Sequence, residues 1–327
     1  MGTMTMERNV SYSSIEATRL IYQPIFKDLI GLGYFRVMPN VVNKKRIQYI
    51  DKLEGIVQKA NGCGFTPKGA TSIYNRTVEV NDSKVELSFC FDQFLDTIFE
   101  EKLKKGANVG DLQGTEIMAA LLPLIQESMT ADYLRLFWFG DTSSLDDTNN
   151  ITDGIWSVHV PALVAANKIP YTNTSSGAAL SPGDGLAYIK AVYDNAPLNL
   201  KGLANSEKRI LVSGTVWEQY MEDLEALGGG DAGRMMLIDG VTRMYFRGVE
   251  VIGNYNWDYF NQKYLGLSNQ HQILYTTPDN LIFATDLLSS QNSLDIWFEK
   301  KEEVTDVRAK SKIGTNYTHE SFFSVGY

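Results

Sequence analysis

The sequence reads as an α+β fold, and three features carry that reading. Residues 71–92 and the pair of stretches 294–299 and 307–314 alternate apolar and polar side chains, as half-buried strands do. Residues 115–139 instead place an apolar side chain at every fourth position, as a helix with one buried stripe does. Helical and strand-like blocks then follow one another without a strict strand–helix–strand rhythm, which argues against a doubly wound parallel sheet.

The bulk numbers set the frame. The chain has 327 residues, room for two domains or one elaborate one. Its 44% apolar and 21% charged content is that of a globular protein. A formal net charge of −9 excludes non-specific nucleic-acid binding over the whole surface, because phosphate affinity rests on Lys and Arg. The charge is uneven, with nine basic and five acidic side chains in the first 60 residues. Such a basic end either lies near nucleic acid or a neighbour's acidic face, or is a chance imbalance. Cys63 and Cys90 are too far apart for a CxxC motif and read as reduced, packed thiols. The N-terminal residues lack the apolar stretch of a secretory signal, and no run approaches the ~18 apolar residues of a membrane span.

In chain order, residues 12–31 are expected to form a helix, with Ile15, Leu20, Ile25 and Leu29 among polar neighbours and Gly31 and Gly33 at its end. A short extended piece and a polar, basic stretch at Lys44, Lys45 and Arg46 follow. In 71–92, two period-two runs flank Asn81-Asp82-Ser83, which predicts a hairpin turning at those residues. An isolated two-stranded ribbon is marginally stable in water, so a projecting hairpin needs a neighbouring surface. Residues 93–104 read as a short amphipathic helix and 106–114 as a loop. One long helix is expected from Thr115, its cap, to Phe139, with Ile117, Leu121, Ile125, Met129, Tyr133 and Phe137 as its stripe. Pro123 lacks a backbone donor, so it either kinks this helix or marks the start of its regular part. Gly140 is expected to end it.

Four large side chains, Leu136 to Phe139, thus meet a glycine, an acid and the polar stretch 142–150. A pocket, a subunit interface and an ordinary core all account for such a cluster. Beyond it, 181–197 reads as a helix capped by Asp184, 208–213 as a buried strand, and 214–230 as a helix capped by Ser213 and stopped by three glycines. Residues 244–253 read as a strand bent at Gly248. The stretches 272–277 and 281–286 are strands around a turn at Pro278-Asp279-Asn280, and 294–299 with 307–314 form an antiparallel pair.

Enzyme motifs are missing. There is no phosphate-binding loop of the GxxxxGK[ST] form, no GxSxG, and the glycines of 31–36 follow a helix rather than a strand. His159, His271 and His319 have no second ligand at helical spacing, so no metal, cofactor or catalytic residue is assigned. The acidic pairs Asp146-Asp147 and Glu302-Glu303 read as solvated loop faces. The tryptophans Trp138, Trp156, Trp217, Trp257 and Trp297 are spread along the chain and suit core packing or subunit contacts.

The order of blocks over residues 50–327 resembles the major capsid proteins of tailed phages, with the Hong Kong ninety-seven fold. The hairpin at 71–92 resembles that family's extended loop. The run 116–141, "EIMAALLPLIQESMTADYLRLFWFGD", resembles its spine helix and exit. The run 209–224, "RILVSGTVWEQYMEDL", is similar to the strand and helix of its axial domain, and "YFRGVEVI" (245–252) to a later strand. "LIFATD" and "VRAKSKIG" resemble the closing strands.

The resemblance implies an N-terminal arm and helix over 1–65, an extended hairpin loop over 66–92, a peripheral domain over 93–145 and 281–327, and an α/β axial domain over 146–280. On the loop it points to Tyr74, Arg76, Val80, Lys84 and Val85 as inter-subunit residues. It further implies a non-enzymatic shell subunit of a virion, assembled in a bacterial cytoplasm, with no cofactor and no membrane. Its partners would be copies of itself as pentamers and hexamers, scaffolding and portal proteins, and packaged DNA touched non-specifically on the inner face. An encapsulin-like nanocompartment shell and a soluble α/β enzyme without a recognisable motif are the alternatives. Pro123 departs from the straight spine helix of the family, and Lys84 aligns with no crosslinking position.

Overall fold

The computed structural model describes residues 10–12, 23–50, 55–59, 68, 72–90, 116–174, 177–227, 235–238, 241–266, 270–286, 293–299 and 301–327. The helix expected over 93–104, the cap at Thr115 and Cys63 lie outside them. The chain divides into two compact units. Residues 1–43, 80–161 and 283–315 make the first, and residues 44–79, 162–282 and 316–327 the second.

The first unit is built on a six-stranded sheet. Its strands are β1 (Val10–Tyr12), β2 (Arg36–Met38), β5 (Asn81–Cys90), β12 (Leu281–Thr285), β13 (Ser293–Glu299) and β14 (Val304–Tyr317), in the order β1-β13-β14-β12-β2 with β5 also beside β14. The long β14 organises it. Ala309 sits opposite Leu294 of β13 on one side and opposite Val85 of β5 on the other, both antiparallel. That bears out the pairing expected of 294–299 with 307–314. Residues 10–12 are a strand on β13, and the helix expected over 12–31 is described only as α1 (Gln23–Gly31), with Ile25 and Leu29 buried.

Helix α2 (Glu116–Phe139) runs through Pro123, so the proline neither begins nor ends it. Its stripe is buried from Leu121 through Ile125, Met129, Tyr133 and Phe137. The Phe137 ring lies 4.3 Å from Phe35 and 6.2 Å from Phe283 of β12, and Tyr133 lies 6.3 Å from Phe283. Trp138 meets Phe137 edge to face at 4.7 Å. Leu136, Phe137, Trp138 and Phe139 are therefore an ordinary core, the last of the three readings that the sequence left open.

The polar stretch after α2 is a closed loop. The buried Arg135 guanidinium donates to Asn149 Oδ1 at 3.1 Å and to the Thr148 carbonyl at 2.9 Å, which pins the loop to the helix. The Asp141 N–H donates to the Asn149 carbonyl at 3.0 Å, and the Gly154 N–H donates to the Gly140 carbonyl at 2.7 Å. Gly140 ends the helix as expected, yet it is not among the positive-φ glycines. It is glycine for space: a Cβ there would lie 2.7 Å from the Leu136 carbonyl and against that of Thr152.

The second unit holds a seven-stranded sheet, in the order β6-β15-β11-β7-β10-β9-β8. Its strands are β6 (Tyr171–Thr172), β7 (Arg209–Ser213), β8 (Met235–Ile238), β9 (Val241–Phe246), β10 (Val249–Asn254), β11 (Ile273–Thr276) and β15 (Ser324–Gly326). Strand β10 runs parallel to β7 and antiparallel to β9. Helices α3 (Asp184–Asn195) and α4 (Gly214–Ala226) cover it, burying Ile189, Val192, Val216 and Tyr220 with Ile210, Val212 and Tyr275.

Three local expectations are corrected here. Residues 244–253 are two strands, not one bent strand: Arg247 (φ 48°) and Gly248 (φ 80°) are both left-handed, which is what a two-residue hairpin turn demands. Ser213 makes no side-chain cap on α4; Asp258 of α5 (Tyr255–Phe260) does so instead, accepting the Thr215 N–H at 3.0 Å. Likewise Asp184 lies inside α3, and the α3 start is capped by Asp223 of α4, which accepts Gly183 N–H at 2.6 Å and Leu186 N–H at 2.9 Å. In both cases a carboxylate from a neighbouring helix takes the orphan donors of a helix N-terminus.

Candidate assembly hairpin

A two-stranded antiparallel ribbon does exist, with different partners from those expected. Strand β4 (Ile73–Glu79) pairs with β3 (Lys44–Ile50), from Lys44 opposite Glu79 to Ile50 opposite Ile73. Strand β5 pairs with β14. The hairpin expected within 71–92 is thus corrected. One residue, Val80, separates β4 from β5, and a reversal needs two or more. The polar trio forms no turn, because its side chains have partners elsewhere: Asn81 Nδ2 donates to the Ile151 carbonyl at 2.6 Å, and Ser83 Oγ lies 2.6 Å from Ser311 Oγ.

The ribbon is anchored along most of its length, and among the described residues its last pair, Ile50 and Ile73, is largely exposed. Near the root, Lys44 Nζ stands 2.6 Å from Glu79 Oε1, across the two strands, and Val78 is buried. The Arg76 guanidinium lies over the Tyr317 ring at 3.7 Å and reaches Glu320 at 3.2 Å. Burial pushes the Tyr317 phenol up from its ordinary value, against the pull of Arg76. Asn316 Nδ2 donates to the Thr77 carbonyl at 2.9 Å. Farther out, Tyr49 of β3 and Tyr74 of β4 lie against His319 at 4.8 and 4.4 Å, and Tyr49 meets Phe322 edge to face at 5.4 Å. A cation–π contact and a partly buried ion pair are each worth ~1 kcal/mol, so the 316–322 segment fixes the ribbon by several modest contacts. Beyond them, Ile50 is 60% and Ile73 55% exposed.

Of the five residues expected on the hairpin, Tyr74 and Arg76 are on it. Val80 is 9% exposed, its N–H donating to the Asn43 carbonyl at 2.9 Å. Lys84 and Val85 belong to β5, where Lys84 is exposed and Val85 is half-buried. Lys84 and Arg308 both bond Glu86 and hold its carboxyl below the ordinary range. Strand β3 was missed because Lys44-Lys45-Arg46 looks like a polar loop. The alternation of its second half, Ile47-Gln48-Tyr49-Ile50, was the available signal.

Among the described residues, no three His, Cys, Asp or Glu side chains group as a metal site would need, and no helix is long and apolar enough to cross a membrane. Two of the three histidines are tied into structure rather than open clefts: His271 is 1% and His319 8% exposed.

No protein-family model matches the sequence, and no curated protein does. Solved structures do match. The satellite phage P4 procapsid aligns with 94% of this chain and 98% of its own, at 10% identity and a TM-score of 0.56. The capsid of cyanophage P-SCSP1u aligns with 100% of this chain and 90% of its own, at 8% identity and 0.53. The capsid of Myoviridae phage XM1 aligns with 100% and 96%, at 11% identity and 0.52. Sequence identity this low over nearly the whole chain speaks for architecture, and the architecture is plain: this chain has the fold of the tailed-phage major capsid proteins.

Proposed function

We propose that the chain is a major capsid protein whose copies tile into the icosahedral head shell of a phage and enclose its DNA. The observation that carries the reading, beside the fold, is the β3–β4 ribbon, latched as far out as Tyr49 and Tyr74 and exposing Ile50 and Ile73 at its end. Ile50 and Ile73 stand largely uncovered among the described residues, and a neighbouring copy supplies the cover. In this reading β3–β4 is the extended loop, α2 the spine helix, the six-stranded sheet the peripheral domain's, and the seven-stranded sheet the axial domain's. Contacts that are individually weak add up when a closed lattice makes each copy multivalent. Pentamers and hexamers are the assembly units, and scaffolding protein, portal and DNA are the outside partners.

Electron microscopy and sedimentation of the expressed chain, alone and with a scaffolding protein, test this. Rings, sheets or closed shells are expected. A chain that stays monomeric under every condition overturns the proposal.

A further inference from the structure

The β3–β4 ribbon has two faces, because successive side chains of a strand point to opposite sides. Tyr49, Tyr74, Arg76 and Val78 belong to the inner face, which meets the 316–322 segment. On the outer face every side chain is exposed. It begins with Lys44 and Glu79, an ion pair balanced within the ribbon. Next comes Arg46, opposite the uncharged Thr77. Gln48 opposite Asn75 and Ile50 opposite Ile73 complete the row.

The charge of the ribbon opposes that of the chain. Its fourteen residues hold four basic side chains and one acidic one, a net +3, so the rest of the −9 chain carries −12. Lys44 is paired with Glu79 and Arg76 with Glu320, which leaves Lys45 and Arg46 as the surplus. Of these two, Arg46 lies on the outer face, and among the described residues it has no ion pair or hydrogen bond.

We infer that this outer face seats on an acidic surface of a second copy of the chain. Arg46 pairs with a carboxylate there, Gln48 and Asn75 hydrogen-bond beside it, and Ile50 and Ile73 are covered at the end of the row. The inference rests on the shell reading and adds to it the face that binds, its polarity and its occupant.

Two arguments choose that occupant. A cation, two amides and two aliphatic side chains in one row suit a protein surface, which offers a carboxylate, hydrogen bonds and an apolar spot together. Nucleic acid would engage the cation alone, and phosphate affinity comes from many such contacts at once. Size is the second argument. Two strands of seven residues, at ~3.3 Å per residue and ~5 Å apart, cover on the order of 250 Å2. A stable pair of proteins buries about 800 Å2 on each partner. The face therefore holds its partner only where other contacts hold it too, as they do in a lattice of identical copies.

Light scattering of the full-length chain against protein concentration, at low and high salt, tests this in wild type, Arg46→Gln and Arg46→Glu. An exposed ion pair is worth up to about fivefold in an equilibrium constant. Arg46→Gln is expected to raise the concentration at which shells form by up to about that factor at low salt. Arg46→Glu should raise it by about tenfold or more, since repulsion replaces attraction. High salt should narrow both differences. Thermal unfolding should be the same in all three, Arg46 being exposed. A photo-crosslinking residue at position 48 gives a second readout, and in assembled shells it should join chain to chain at a peptide rich in Asp and Glu. A wild type that assembles under no condition overturns the shell reading and this inference with it. A wild type that assembles, with Arg46→Glu assembling at the same concentration, overturns the inference alone. Crosslinks to DNA or to a scaffolding protein in place of a second copy do the same.

Discussion

Gly140 and Gly154 touch backbone to backbone. The Gly154 N–H donates to the Gly140 carbonyl at 2.7 Å, and a Cβ on Gly154 would stand 2.6 Å from the Gly140 nitrogen and 2.6 Å from the Trp138 carbonyl. The two glycines close the polar loop beneath the end of α2, and neither atom that a side chain would meet can rotate away. Gly154→Ala is therefore expected to cost about 3 kcal/mol, the upper end of what overpacking does. Urea unfolding measures it. An unchanged midpoint would show that the backbone relaxes around the added methyl group.

Trp138→Ala is a test of the core itself. Trp138 is 2% exposed and meets Phe137 edge to face. Truncation of a buried ring of this size costs roughly 3–5 kcal/mol. If the loss falls below about 1 kcal/mol, the site collapses without leaving a cavity.

How much of this was legible in the sequence depends on how far apart in the chain the cause lies. The stripe of α2 was legible because each of its members repeats locally, and β13–β14 was legible because alternation is local too. The partner of β4 was not. Its own pattern says that it is a strand, but only the fold chooses β3, 23 residues upstream of Ile73 at Ile50, over the adjacent β5. The caps failed for the same reason. Ser213 and Asp184 sit where a local cap belongs, yet Asp258 and Asp223 reach in from other helices and win, and nothing in a linear sequence marks such a carboxylate. The turn at Arg247-Gly248 hid because arginine rarely takes a left-handed conformation.

Asp223 gives a direct measure of a cap supplied from afar. It accepts the Gly183 and Leu186 N–H groups, and Gln219 Nε2 donates to it at 3.0 Å. Asp223→Ala leaves these partly buried donors without their acceptor and should cost about 1 kcal/mol, as loss of a helix cap does, with Asp223→Asn costing less. Equal losses in both variants would mean that charge, not hydrogen bonding, sets the effect.

The ribbon separates folding from assembly. Ile73→Asp alters an exposed side chain, so the subunit should melt within about 0.5 kcal/mol of wild type while forming no shells. Val80→Asp puts a charge into a buried position and should unfold the subunit outright. Sedimentation and thermal unfolding distinguish the two. Normal shells from Ile73→Asp would remove the ribbon from the assembly contact.

Tyr133 gives the first unit a stability that depends on alkaline pH. Its ring is buried on α2, and its hydroxyl lies 2.6 Å from Ser311 Oγ on β14. Burial pushes its phenol up to about 12, in part offset by the bond to Ser311. The unfolded chain loses the same proton at about 10. Because the folded value is raised, the stabilisation is complete below pH 10 or so and disappears as pH rises toward about 12. Tyr133→Phe keeps the ring and removes the proton. It should lose about 1 kcal/mol at neutral pH for the missing hydrogen bond and, relative to wild type, regain ground as the solution turns strongly alkaline. Unfolding curves of the two proteins that run parallel from neutral to alkaline pH would show that Tyr133 reaches solvent before the fold opens.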